Sequence, residues 1–233
     1  MGGDPYIPAK DIWTYDLSQG VLNLAVGANW NQRTSDCGSV GGDRVLQSYW
    51  VYNNKIRMAG GQWGTSGSPT MYTDVLELNE TTWQWETKGT LPISYASTCP
   101  IIQTPVYTYL YAGGRYLDTG HDHANMTLFK SPDGGISWET DSDLPSDFIG
   151  FMYADSVWFE NRLWFLNGDG GAANPGNQSG LWSLVPSSEW VKYVDTPLAR
   201  HASGVCTNYA DREFFIVSGN SVNDVIKITA NDI

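Results

Sequence analysis

Basic residues and long apolar runs are scarce in this sequence. Its 233 residues include 13 Lys and Arg against 25 Asp and Glu, which gives a formal charge of −12. A nucleic-acid ligand is therefore not expected, because phosphate backbones are bound by clustered basic side chains. No apolar run approaches the roughly 20 residues that a membrane-spanning helix needs. The composition thus predicts no transmembrane segment and an acidic, well-hydrated surface.

Cysteine is also scarce, and its spacing excludes two common architectures. The chain has three cysteines, which provide neither a disulfide framework nor the C-x-x-C spacing of a zinc site. Cys99 and Cys206 fall at similar positions in two of the repeats described below. This placement predicts that they are small, buried core residues. The three are Cys37, Cys99 and Cys206.

Aromatic residues and glycine, by contrast, are plentiful and recur with a period. The chain has 11 Trp, 13 Tyr and 25 Gly. Short apolar runs ending in glycine recur as IRMAGG, YLYAGG, WFLNGDGG and FFIVSGN, and a loop and a second strand-like run follow each one. In the first three units a tryptophan comes next, and a proline follows it by seven residues. The aligned glycines, Gly60, Gly113, Gly168 and Gly219, are 53, 55 and 51 residues apart.

Each unit of about 53 residues contains four short strand-like segments separated by turns of Gly, Pro, Asn and Asp, and no segment follows a long helical period. A four-stranded repeat of this length is typical of a β-propeller blade. The sequence therefore predicts a single all-β propeller domain over residues 1–233. The predicted repeats cover about 20–73, 74–125, 126–179 and 180–233, after an N-terminal closing segment, 1–19.

The first and last segments determine the predicted number of blades. The last unit supplies EFFIVSGN and DVIKITANDI but no Trp-bearing fourth strand. The segment Asp11–Leu17 alternates apolar and polar residues and carries Trp13, so we expect it to fill that vacancy and close a ring of four or five blades. The alternatives are a slice of a larger propeller and assembly with a neighbouring chain through sheet edges.

One stretch, SPDGGISW from Ser131 to Trp138, has the form Ser-x-Asp-x-Gly-x-Ser-Trp and lies between the third and fourth strands of its unit. It resembles the Asp-box of sialidase-like propellers. The Gly-Gly pairs and periodic tryptophans resemble those of kelch-like propellers and of the galactose-oxidase central domain. The resemblance implies that this turn lies on the outer part of a blade, away from the central channel. Ser131, Asp133, Gly135 and Trp138 are therefore predicted to be structural, with the carboxylate accepting backbone N–H bonds.

Aromatic residues that do not repeat are candidates for ligand binding. Trp63 and Tyr116 lie in the loops after the glycines, where propellers present binding surfaces, and exposed aromatic rings stack on sugars or anchor protein interfaces. Arg115, beside Tyr116, and Arg200, at the start of a predicted first strand, complete the candidate set. For Trp63, packing of the loop on itself is the alternative.

The stretch DTGHDHAN contains two of the three histidines in the chain. If it is extended, His121 and His123 share a face, with Asp118 nearby, and imidazole with carboxylate suits zinc or copper. An ordinary exposed polar loop is the alternative. We expect no cofactor other than such a divalent cation.

Three Asn-x-Ser/Thr sequons, at Asn79, Asn125 and Asn177, are candidate glycosylation sites at turns, loops or strand starts. The opening residues, MGGDPYIPAKD, contain no apolar stretch like a secretory signal. Either the protein is not exported by this route, or the sequence begins after processing or inside a larger chain. An extracellular or surface-exposed location is the one we expect.

Two classes of function fit this sequence. The first is a non-catalytic recognition or structural module that binds a protein or glycan partner through its loops. The second is a carbohydrate-active enzyme with a site in the central channel, as the resemblance to sialidases implies. Such an enzyme needs three arginines that converge on a carboxylate, a Tyr/Glu pair and an acid/base Asp. Arg44 and Arg200, which open predicted first strands, supply part of this set at most, so the binding module is favoured.

Overall fold

The computed structural model describes residues 12–15, 30–36, 44, 47–63, 70–93, 100–111, 116–118, 121–123, 127–143, 155–169, 177–185, 189–195, 204–217 and 225–231. Every regular element in these ranges is a β-strand, and none of the described residues form a helix that could cross a membrane. In chain order the strands are β1 (Ile12–Tyr15), β2 (Trp30–Thr34), β3 (Ser48–Tyr52), β4 (Lys55–Ala59), β5 (Gln62–Trp63), β6 (Thr70–Met71), β7 (Asp74–Asn79), β8 (Gln84–Thr90), β9 (Ile101–Gln103), β10 (Thr108–Tyr111), β11 (Tyr116–Asp118), β12 (His121–His123), β13 (Thr127–Ser131), β14 (Glu139–Asp143), β15 (Asp155–Phe159), β16 (Arg162–Asp169), β17 (Asn177–Leu184), β18 (Trp190–Asp195), β19 (Gly204–Asn208), β20 (Glu213–Val217) and β21 (Val225–Thr229).

The larger sheets repeat one antiparallel strand order. Three of them have four strands, β3-β4-β7-β8, β9-β10-β13-β14 and β15-β16-β17-β18, and the next has three described strands, β19-β20-β21. We call these sheets blades 1 to 4. Their first strands contact one another in sequence, β3 with β9, β9 with β15, and β15 with β19. The chain is therefore an all-β, four-bladed β-propeller, which confirms the predicted fold class.

The predicted period is retained, but its phase differs. Blades 1 to 4 begin at Ser48, Ile101, Asp155 and Gly204, whereas the expected repeats begin near residues 74, 126 and 180. Those positions lie at the start of a third strand or within it. The glycine runs used for the alignment end second strands, so each expected repeat combines half of one blade with half of the next.

Short turns between first and second strands use residues that tolerate positive φ. Asn53 and Asn54 join β3 to β4 with φ values of 49° and 59°, and Glu160 and Asn161 join β15 to β16 with values of 51° and 56°. A two-residue turn with positive φ at both positions is of type I′, whose twist matches that of the flanking strands. Asn in three of the four positions explains why the sequence folds tightly here.

Apolar side chains fill the space between consecutive blades. We call the face of a blade that packs on the preceding blade its leading face, and the opposite face its trailing face. At each junction a trailing face supplies one half of a buried cluster and the next leading face supplies the other. The buried members on the strands are Trp50, Ala59 and Val75 against Leu110; Ile102, Tyr109 and Leu128 against Leu163, Phe165, Trp182 and Leu184; and Phe159, Trp164 and Leu181 against Phe214, Ile216 and Ile228. Leu91 and Ile93, which follow β8, also belong to the first cluster.

Among the described strands, the N-terminal strand pairs with its neighbour in sequence and not with the last blade. β1 pairs with β2, with Tyr15 opposite Trp30 and their rings edge-to-face at 5.2 Å. Ile12 packs against a buried cluster on the leading face of blade 1 (Met58, Leu76, Leu78 and Trp85), while Trp13 remains largely exposed. Asp11–Leu17 was expected to complete the last sheet; its described part instead pairs antiparallel with β2, an arrangement that packs Ile12 on blade 1 and Tyr15 on Trp30.

Candidate functional site

The connections between second and third strands carry short β-ribbons in three blades. In blade 1 this connection contains the pair β5–β6, and in blade 2 it contains β11–β12. In blade 3 the pairing of β16 with β17 continues beyond a bulge to Asp169 opposite Asn177. Because the blades share one strand order, these three connections leave the propeller at the same end. We call this set of ribbons the ribbon surface.

Two of the four candidate ligand-binding residues lie on this surface. Trp63 is in β5 opposite Thr70, and Tyr116 is in β11 opposite His123. Both had been placed in loops after the glycines; the structure makes those loops paired strands. Arg115 and Arg200 lie outside the described residues.

The candidate metal ligands share one ribbon. Asp118 of β11 is opposite His121 of β12, and His123 follows two positions later on β12. Residues two apart on a strand, and residues directly opposite, belong to the same face of a ribbon. Within this stretch, His121–His123 is extended strand, which a shared face for the two histidines requires. Among the side chains that the structure describes, no group of three or more His, Cys, Asp or Glu could hold a metal.

A buried arginine supports the base of the first ribbon. Arg44 donates from Nη2 to both carboxylate oxygens of Asp74, at 3.1 and 2.8 Å, and from Nη1 to the carbonyl oxygen of Gly60 at 3.0 Å. Its guanidinium also stacks on the ring of Tyr72, 4.2 Å from the centroid. Arg44 lies before β3, not at its start as the sequence suggested, and these bonds occupy it within blade 1.

The Ser131–Trp138 turn is held by its own polar side chains. Asp133 Oδ1 accepts the backbone N–H of Ile136 at 3.0 Å and that of Ser137 at 2.9 Å, and Oδ2 accepts the Ser137 hydroxyl at 2.6 Å. The buried hydroxyl of Ser131 donates to Asp133 Oδ1 at 2.7 Å and accepts the N–H of Gly135, also at 2.7 Å. Gly134 and Gly135 have φ of 75° and 102°, a region that favours glycine.

Side chains of blade 1 hydrogen-bond to this turn across the junction with blade 2. Arg57 donates from Nη1 to the carbonyl oxygens of Asp133 and Gly134, at 2.9 and 2.6 Å, while its Nε and Nη2 both lie 2.8 Å from Glu77 Oε2. Trp50 Nε1 donates to the same Gly134 carbonyl at 3.2 Å. Gly134 and Gly135 have no room for a Cβ, because Tyr52 and Trp50 lie against them. The turn therefore links blade 1 to blade 2 through hydrogen bonds and close packing.

Sequence reasoning missed Arg57. The signal was a single charged residue within the apolar run IRMAGG, at a strand position where burial is expected. An arginine buried in this way needs an anion and carbonyl acceptors around it. Its anion is cross-strand, since Glu77 is opposite Arg57 in the pairing of β4 with β7.

Replacing Asp133 with Ala is expected to lower the free energy of unfolding at neutral pH by roughly 1–3 kcal/mol, because the turn loses the acceptor of several donors. Burial raises the pKa of the Asp133 carboxyl, but hydrogen bonds from Ser137, Ser131 and Ile136 outweigh it and lower the pKa to about 2. This value lies below the roughly 3.9 of an unfolded chain, so the stabilisation is complete above about pH 4 and is lost as the pH falls towards 2. Urea unfolding between pH 2 and 7 measures this.

The matched control is Asp211→Ala, which removes an exposed turn aspartate. It should change the free energy of unfolding by no more than about 0.5 kcal/mol. Ligand binding by folded Asp133→Ala protein is expected to be unchanged. A stability cost that does not shrink between pH 4 and 2 would contradict the role assigned to this carboxylate.

The three candidate glycosylation sites differ in their structural context. Asn79 ends β7, where its Oδ1 accepts the N–H groups of Thr81 and Thr82 and its Nδ2 donates to Glu86 at 2.6 Å. The amide nitrogen that a glycan would occupy is therefore used in the turn. Asn177 begins β17, and Asn125 lies outside the described residues.

The interpretation of the cysteines as buried core residues is wrong for Cys206. It is an exposed free thiol on β19, opposite Phe215. Its exposure follows from its place on the trailing face of blade 4, which no described element covers. Cys37 and Cys99 lie outside the described residues.

Comparison with known proteins adds no family to this description. No protein-family model matches the chain, and no curated protein matches it.

Proposed function

We propose that this protein is a non-catalytic recognition module, a kelch-like propeller with an Asp-box turn, which binds a protein or glycan partner through the ribbon surface. The observation that carries the proposal is the presence of paired ribbons at the same connection in three blades. Ribbons hold their backbone groups in fixed positions, so a binding surface built on them loses little entropy when a ligand binds. An extracellular or surface-exposed location suits such a module.

The residues on the ribbons suggest how a ligand would be held. Trp63 and Tyr116 offer aromatic rings for stacking on a sugar face or for anchoring a protein side chain. Asp118, His121 and His123 would hold a divalent cation, which could bridge the ribbon to hydroxyl or carboxylate oxygens of the ligand.

The enzyme alternative, a carbohydrate-active propeller with a site in the channel, finds less support among the described arginines. Arg44 and Arg57 are buried and paired with Asp74 and Glu77, and both also donate to backbone carbonyls. Both guanidinium groups are buried in these contacts. The two arginines instead stabilise blade 1 and its junction with blade 2.

A glycan array, run beside a panel of chromogenic sialosides and glycosides, tests the proposal. We expect the wild type to bind a defined class of glycan without turnover above the blank. Trp63→Ala and Tyr116→Ala should weaken this binding at least tenfold, with unchanged melting temperatures. Repeating the assay with a chelator, and then with added zinc, tests the cation.

The matched control is Tyr209→Ala, which removes an exposed tyrosine from the connection between β19 and β20, at the opposite end of the propeller. This variant should bind as the wild type does. Turnover of any substrate would favour the enzyme alternative. Undiminished binding by both ribbon variants would place the ligand elsewhere.

A further inference from the structure

The leading face of blade 1 is only half covered. Its outer part, around Leu76, Leu78 and Trp85, packs against the β1–β2 hairpin through Ile12. Its inner part exposes Tyr49, Val51 and Ile56. At the position of Ile56, which is 41% exposed, the other blades have Thr108, Leu163 and Phe214, each 0% exposed. In those blades the preceding trailing face covers this position.

The trailing face of blade 4 is uncovered in the same way. Val225 lies opposite Val217 in the pairing of β20 with β21, as Val75 lies opposite Ala59 and Leu181 opposite Leu166 in blades 1 and 3. Val75 and Leu181 are at most 2% exposed, whereas Val225 is 61% exposed. Val217 and Cys206 are exposed beside it.

The exposed leading face of blade 1 and the exposed trailing face of blade 4 are the two halves of one junction. Each junction between described blades joins a trailing face to a leading face, and the described blades leave one apolar face of each type exposed. Both are exposed in the same molecule, so they do not cover each other within one chain. A partner that offers both missing halves at once is a second copy of the same chain.

We propose that two copies associate head to tail, with the trailing face of blade 4 in each copy packed on the leading face of blade 1 in the other. Two equal contacts of this kind close a ring with twofold symmetry. Neither apolar face then remains exposed, so no further copy can be added. The contact extends the packing of the three internal junctions across the subunit boundary. This inference does not depend on the ligand of the ribbon surface.

Charge does not oppose this contact on blade 4. Lys227 and Glu213 lie on the same trailing face and form an ion pair at 3.0 Å. The face is therefore apolar with a neutralised pair, although the chain carries a charge of −12.

Sedimentation equilibrium of the whole chain tests the association. The wild type should be dimeric at micromolar concentrations, and Ile56→Glu and Val225→Glu should each raise the dimer dissociation constant at least a hundredfold. Val106→Glu is the matched control, because Val106 is 68% exposed but lies on the β9–β10 turn, away from both faces. The melting temperature of each variant, measured at a concentration where it is monomeric, shows that it is folded.

Cross-linking distinguishes the head-to-tail arrangement from other dimers. Ile56→Cys protein treated with a short bismaleimide should form covalent dimers through the Cys206 thiol of the other copy, and Cys206→Ser should abolish them. Val106→Cys should not form them. A wild type that stays monomeric at 100 μM, a dimer that survives both glutamate substitutions, or a cross-link confined within single chains would each overturn the proposal.

Discussion

Replacing Arg57 with Ala is expected to lower the free energy of unfolding by about 3–5 kcal/mol, the cost of removing one partner from a buried ion pair. The side chain is 6% exposed and bonds Glu77 together with the carbonyl oxygens of Asp133 and Gly134. Its loss leaves the Glu77 carboxylate without this partner and removes the hydrogen bonds from Arg57 to the turn of blade 2. Equilibrium unfolding in urea, followed by tryptophan fluorescence, measures the change.

Arg212→Ala provides the matched control. Arg212 also makes two short bonds to one glutamate, Glu160, at 2.9 and 2.8 Å, but its side chain is 63% exposed. Exposed pairs of this kind contribute about 0–1 kcal/mol, because water and salt screen them. Equal losses in the two variants would show that burial of Arg57 is not what makes it important. Arg57→Lys, which keeps the charge but loses the forked geometry, should fall between them.

The sequence predicted the blade architecture because that information is local and repeated. A glycine that ends one strand and a tryptophan that begins another recur with one period, so several weak signals support the same interpretation. The polar core of the Ser131–Trp138 turn was also predictable, since its donors and acceptors lie within a few residues of one another.

The contacts that cross blades could not be predicted in this way. Nothing in the turn sequence specifies that Arg57, more than 70 positions earlier, donates to its carbonyls. The partner of β1 was missed for a related reason. An alternating segment such as Asp11–Leu17 fits any free sheet edge, and the packing of Ile12 on blade 1 decides among them. On the ribbon surface, the sequence placed candidates in the right connections but did not foresee that they would be paired strands.

Replacing Gly134 with Ala is expected to cost roughly 2–5 kcal/mol, from two sources. An L-residue in the left-handed region costs about 1–2 kcal/mol, and overpacking a filled site costs a further 1–3 kcal/mol or so. Gly134 has a φ of 75°, and a Cβ there would overlap the ring of Tyr52 and lie 2.5 Å from Arg57 Nη1. Urea unfolding measures the total, and Ile136→Ala, an exposed change in the same turn, should cost less than about 1 kcal/mol.

A double-mutant cycle separates the two sources. Tyr52→Ala removes the ring that the new methyl group would overlap but leaves the backbone of the turn unchanged. If overpacking contributes as expected, Gly134→Ala should cost about 1–3 kcal/mol less in the Tyr52→Ala background than in the wild type. The remaining cost combines that of the backbone conformation with that of the close approach to Arg57 Nη1. If Gly134→Ala costs the same in both backgrounds, the close approach of Tyr52 does not limit the turn, and the glycine is required for its φ and for its contact with Arg57.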